Sequence, residues 1–125
     1  MVQILDETKG DLISIKIKGK LTKGDFDVFN PILEKTIRDF EKPKIYIEIH
    51  EIDMPEFQAI WEDIKNIPKY NRLEKIAVVG IKGWYEQMTI IFSKIISPEV
   101  KYFDYDQKKN AKKWLESYSY HTNTQ

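Results

Sequence analysis

Isoleucine at every second position marks two segments as half-buried strands. Ile13, Ile15 and Ile17 alternate with Ser14, Lys16 and Lys18, and Ile45, Ile47 and Ile49 alternate with Tyr46, Glu48 and His50. A period of two gives a strand one dry face and one wet face. Val2 to Leu5 and Leu12 to Gly19 flank a polar stretch, 6–11, with Gly10 near its end, and together they read as a hairpin. Ile76-Ala77-Val78-Val79-Gly80 is apolar without alternation, as expected of a central strand covered on both faces. Val100 to Phe103 supplies a fifth strand.

Between the strands the period changes to that of a helix. Thr22-Lys23-Gly24-Asp25 resembles a capping box with Asp in place of Glu or Gln, and Phe26, Phe29, Leu33, Ile37 and Phe40 follow on one face. Pro31 falls inside this stripe. The stripe keeps its phase across the proline, which predicts one kinked helix and not two. Asp53-Met54-Pro55-Glu56 reads as an N-cap, an early proline and a capping Glu for a second helix, whose stripe is Phe57, Ile60, Trp61, Ile64 and Ile67 before Pro68. A third helix runs from about Trp84 to Ile96 and stops before Pro98. Asp106 caps a fourth, with Ala111, Trp114, Leu115 and Tyr118 on one face.

Strands separated by helices of this length require parallel pairing through crossovers. The pattern is that of an α/β domain: a mixed five-stranded sheet, opened by a hairpin and continued by parallel strands, with about four helices. Strands two and three alternate, so helices are expected on one side only there. Ser14, Lys16, Lys18, Tyr46, Glu48 and His50 then line an open or partner-covered face.

A chain of 125 residues makes one domain, read here as 1–119 with a polar tail over 120–125. Twenty Lys and Arg balance twenty Asp and Glu, which argues against a nucleic-acid binder, whose affinity comes from clustered basic residues. Cysteine is absent, removing disulfides and thiolate metal sites. No apolar run approaches the ~20 residues of a spanning helix and no signal-like stretch precedes the first strand, so the chain reads as cytoplasmic and soluble.

Catalytic chemistry is sparse, and no enzyme activity or cofactor is expected. No Ser, Thr or Cys lies between Thr36 and Thr89, an interval holding two of the strand ends where α/β sheets place ligands. Gly80-Ile81-Lys82-Gly83 lacks the spacing of a phosphate-binding loop and reads as a turn. His50 with Glu48, Glu51, Asp53 and Glu56 offers metal-ligand or acid–base types without the spacing of a zinc site; a solvated strand end and a helix cap account for them.

The third helix carries more apolar surface than a sheet-covering role requires. Trp84, Met88, Ile91, Phe92 and Ile95 make a core stripe, and Tyr85, Ile90 and Ile96 fall beside it, leaving only Glu86, Gln87, Ser93 and Lys94 polar. This surplus points to a binding domain for an apolar or amphipathic small ligand, able to associate with a membrane surface. The candidate lining is Phe57, Trp61, Trp84, Tyr85, Met88 and Ile91, with Lys82 and the following helix N-terminus for an anionic headgroup. The competing reading is a regulatory module that meets a protein partner or a second copy through the same helix or the open sheet face.

Gly19-Lys20-Leu21-Thr22-Lys23-Gly24-Asp25, Trp61-Glu62-Asp63, Lys75 to Gly80 leading to Trp84, Tyr102-Phe103-Asp104 and Ala111-Lys112-Lys113-Trp114-Leu115 together resemble the SpoIIAA-like proteins, which have the STAS fold of sulfate transporters and anti-sigma-factor antagonists. The resemblance covers nearly the whole chain. In true antagonists a Ser or Thr opens the helix after the third strand and is phosphorylated. Here Ile52-Asp53-Met54-Pro55-Glu56-Phe57 has no hydroxyl, so the phosphoswitch is not carried over. For the SpoIIAA-like branch the resemblance implies ligand binding and membrane association through mobile helices, by its likeness in shape to lipid-carrier domains.

Overall fold

In a computed structural model, which describes residues 1–81 and 83–117, the strands are β1 (Val2–Ile4), β2 (Leu12–Lys18), β3 (Lys44–His50), β4 (Lys75–Gly80) and β5 (Glu99–Asp104). The helices are α1 (Lys23–Asp39), α2 (Met54–Asn66), α3 (Trp84–Ser93) and α4 (Lys108–Glu116). The sheet order is β1-β2-β3-β4-β5, with β1 antiparallel to β2 and every other pair parallel. Each strand therefore lies beside its predecessor. Crossovers of one hand between successive parallel neighbours put all their helices on one face. α1, α2 and α3 share that face, burying Phe29, Leu33, Ile37, Phe57, Ile60, Trp61 and Ile64 against the isoleucines of β2 and β3 and against Ile76 and Val78 of β4.

Local signals hold at most element ends. Thr22 and Asp25 form the reciprocal capping box of α1, and the helix runs unbroken through Pro31. Asp53 is the N-cap of α2, although its side chain makes no capping bond. β4 is buried along its length between β3 and β5, as its unalternated run requires, while β3 is the middle strand. Asp106 does not cap the last helix. It sits inside a 3-10 turn, Tyr105–Gln107, whose own cap is Asp104, and α4 begins after it. Tyr118 and the tail expected over 120–125 lie outside the described residues.

The sheet face expected to be open is largely closed. α4 packs on β3, β4 and β5 from the side opposite the other helices, burying Ala111 and Leu115 against Tyr46, Ala77, Val79 and Phe103. Tyr46 and Glu48 are consequently buried, Ser14 on β2 is buried as well, His50 and Lys16 are half-buried, and only Lys18 is exposed. The buried ammonium of Lys75, at the start of β4, donates at 2.8 Å to the carbonyls of Trp114 and Ser117 and to Ser117 Oγ, tying down the carboxyl end of α4. Burial pulls the Lys75 pKa down, an effect that the charges of Glu74 and Glu99 oppose. Between α1 and α2, Asn30 Nδ2 donates to Asp63 Oδ1 at 3.2 Å, while Asn30 Oδ1 and Asp63 Oδ2 are buried without partners. Burial raises the Asp63 pKa, and the Asn30 bond only partly offsets it.

Candidate functional site

α3 is set by its first turn. Gly83, at φ 123°, is its N-cap, and one residue into the helix the Tyr85 hydroxyl donates to Ile52 O at 2.9 Å and accepts from Ile52 N at 2.8 Å. That pair pins α3 to the connection between β3 and α2. Gly80 makes room for the ring: a Cβ there would lie 3.0 Å from Ile49 Cγ1 and 3.2 Å from Tyr85 Cδ2. With Tyr85 turned inward, the helix seats Thr89 fully against the sheet, its hydroxyl satisfied by Tyr85 O at 2.8 Å, and Met88 and Phe92 pack against the core beside it. Ile96 is buried just beyond the helix.

This placement rotates the helix away from the orientation read from the sequence. Trp84, Ile91 and Ile95, assigned above to the core stripe, are 37%, 52% and 55% exposed. Trp84 and Ile91, seven residues apart, share one face of α3, and Ile95 is exposed just past the helix end. The buried side instead runs through Tyr85, Thr89, Phe92 and Ile96. The helix also ends at Ser93, short of the expected Ile96.

The remaining candidate residues fall into two groups. Phe57 and Trp61 are each only 1% exposed and belong to the core. Phe57 stacks on Tyr85 at 6.0 Å and meets Trp84 edge-on at 5.4 Å, and Trp61 stacks on Phe92 at 5.5 Å. They form the base on which the α3 strip stands. Trp84 and Ile91 reach the surface, with half-buried Met88 between strip and core. Lys82 lies outside the described residues. Ile81, just before it, is exposed.

A polar cluster occupies the other face. Glu48, 5% exposed on β3, accepts from the Tyr46 hydroxyl at 2.9 Å, pairs with His50 Nε2 at 2.8 Å and lies 3.5 Å from Lys108 Nζ. Burial pushes the Glu48 carboxyl up, but the bonds from His50 and Tyr46 and the Lys108 charge outweigh it and hold the pKa below the usual range. The His50 ring also packs edge-on against Tyr105 at 5.4 Å. Of the acidic residues grouped near His50 in the sequence, Glu48 joins it and Asp53 does not, and no group of three or more metal-ligand types occurs among the described residues. Sequence reading missed Lys108 and Tyr105. The only available signal was a glutamate between tyrosine and histidine at alternate positions of one strand, a set that water alone does not have to satisfy.

No helix among the described residues is long and apolar enough to cross a membrane. A family model described as SpoIIAA-like matches residues 12–116. Among solved structures, the chain is similar to an uncharacterized protein of the DUF3478 family with a SpoIIAA-like fold, from Shewanella loihica PV-4. The two are 24% identical, with a TM-score of 0.68 over 91% of this chain and 93% of that one. No curated protein matches. The structural likeness shows the fold; the family match supports a regulatory or binding domain at most, and names neither ligand nor partner. With the capping box, the sheet order and the model match spanning β2 to α4 in agreement, the chain belongs to the SpoIIAA-like family.

Proposed function

We propose that this protein is a non-enzymatic binding domain that docks an apolar or amphipathic ligand along the outer strip of α3, including the acyl–headgroup boundary of a membrane. The observation that carries the reading is the exposure of Trp84 and Ile91 on one face of α3 and of Ile95 just past its end, with Trp84 packed edge-on against buried Phe57. Fully burying a large apolar side chain is worth roughly 1.5–3 kcal/mol, so covering the exposed part of three such residues is worth about 2–4 kcal/mol. That suffices for reversible docking and falls far short of permanent anchorage. Residues 83–96 carry one acid, Glu86, and one base, Lys94, Lys82 precedes them in sequence, and the chain is formally neutral, so attraction to anionic lipid contributes little.

Vesicle flotation tests this. The protein is expected to float partly with neutral and anionic vesicles alike, with little dependence on salt, and Ile91→Glu is expected to abolish flotation without unfolding an exposed site. A protein that stays wholly in the soluble fraction and carries no lipid in native mass spectrometry removes the proposal. If Ile91→Glu instead converts a dimer to a monomer in sedimentation, the strip is a protein interface.

A further inference from the structure

Beside α4 the sheet carries a second recess, unrelated to the α3 strip. α4 is nine residues long and packs on β3, β4 and β5, so the matching face of β2 is left beside it as a floor. The resulting pocket, about 260 Å³, is lined by Glu7, Leu12, Ser14, Tyr46, Lys112 and Glu116. Sites for drug-sized ligands span ~300–1,000 Å³, so this one suits a smaller molecule.

Ser14 alternates with Ile13 and Ile15, which enter the main core, so its side chain is directed to the pocket side, next to Tyr46 in register. It is 0% exposed and its hydroxyl has no hydrogen-bond partner within the protein, an arrangement that costs free energy. Its backbone is held from the other side, because Thr8 Oγ1 accepts from Ser14 N at 2.8 Å and donates to Ser14 O at 2.9 Å, which also fixes the loop bearing Glu7. Lys112 Nζ lies 3.3 Å from Glu7 and 5.4 Å from the centre of the Tyr46 ring. Glu116 has no ion-pair partner among the described residues, and as the last residue of α4 it sits where the helix dipole disfavours a carboxylate. The neighbouring Lys44 and Asp11 already pair with each other at 3.5 Å.

The lining thus presents one ammonium and two carboxylates around a hydroxyl and an aromatic ring. A simple anion meets two carboxylates, and a simple cation meets Lys112. A molecule carrying both signs a few bonds apart satisfies both. We infer that this pocket binds a small zwitterion of the α-amino-acid type, its carboxylate on Lys112, its ammonium on Glu116 and Glu7, and its polar edge toward Ser14.

Amide chemical-shift titration of the full chain tests the assignment, with glycine and L-serine as probes and methylamine and acetate as their single-charge halves. Saturable shifts at Ser14, Tyr46 and Lys112 are expected with the amino acids, at least about tenfold weaker with either half. Lys112→Met and Glu116→Gln alter partly or fully exposed positions, and each is expected to weaken binding about tenfold. Ser14→Ala is expected to weaken binding while leaving the melting temperature unchanged or raised, since the hydroxyl it removes has no partner. Equal responses to all four probes, no saturable response to the amino acids, binding that survives both charge variants, or a Ser14→Ala protein that melts lower without losing binding overturns the inference.

Discussion

Tyr85→Phe isolates one oxygen on which the seat of α3 depends. The ring stays, so the contacts with Phe57 and Trp84 are retained. What is lost is a hydroxyl serving two backbone groups of Ile52, a residue 3% exposed and so without ready access to replacement water. A typical intramolecular hydrogen bond contributes about 1 kcal/mol net, and a buried group left unpaired costs about 1–3 kcal/mol. Local relaxation recovers part of this for two adjacent groups, giving an expected destabilisation of about 2 kcal/mol. For a chain of this length that corresponds to a fall of roughly 6–10 °C in melting temperature. Urea unfolding followed by far-UV circular dichroism measures it, with a lower midpoint and an unchanged m-value as the signature. A loss under about 0.5 kcal/mol, within the range of neutral surface changes, would refute the claim that this hydroxyl fixes the helix. Vesicle flotation of the folded variant should be retained, because Trp84, Ile91 and Ile95 are untouched.

Gly80→Ala should destabilise by about 1–3 kcal/mol in the same assay, since the new methyl meets Ile49 and the Tyr85 ring at 3.0 and 3.2 Å and both must shift. Asp63→Asn should stabilise the protein at pH 7 by about 1 kcal/mol, because it replaces a half-buried carboxylate that has one neutral donor and one buried oxygen without a partner. The folded-state pKa of Asp63 is raised, so its favourable contribution is complete below the ordinary 3.8 and is lost as pH rises through the folded value. The advantage of the Asn variant should therefore vanish in acid, which unfolding midpoints measured across pH will show. Glu48→Gln should behave oppositely. Its pKa is depressed, so its contribution is present above the ordinary 4.5 and is lost as pH falls through the folded value. The variant should be less stable by about 1–3 kcal/mol at pH 7, with the deficit shrinking in acid.

The order of strands and helices was legible because period two and period 3.6 are imposed by geometry that burial cannot alter. The rotation of α3 was not. Apart from Ile90, its apolar residues cover an arc running from Ile91 through Trp84, Met88 and Phe92 to Tyr85 and Ile96, wider than the one face that packs on a sheet. Periodicity alone does not choose which part of that arc packs. The choice fell to the Tyr85 hydroxyl, which reaches Ile52, 33 residues away in sequence. The closed second face was hidden for a similar reason. A helix that follows the last strand is not a crossover, so no rule of connection assigns it a side, and β2 and β3 showed polar alternation that reads as solvent exposure. Tyr46 and Glu48 of β3 are buried because α4 packs on that strand and brings Lys108 to meet Glu48. Ser14 looked like a wet position for the same reason, and only its unpartnered hydroxyl marks it as something else.

Because every strand joins the one made just before it, the sheet can grow at a single edge in the direction of synthesis, with no wait for a distant segment to close a pairing. The side bearing Ala77, Val79 and Phe103, however, gains its cover only when residues 108–116 emerge. Until then a nascent chain presents a bare oily surface beside an unpaired β5 edge, the combination on which aggregation feeds. The shortest of the four helices among the described residues thus serves as the seal on the sheet, and truncation before it should yield insoluble protein even though all five strands and the other three helices are intact.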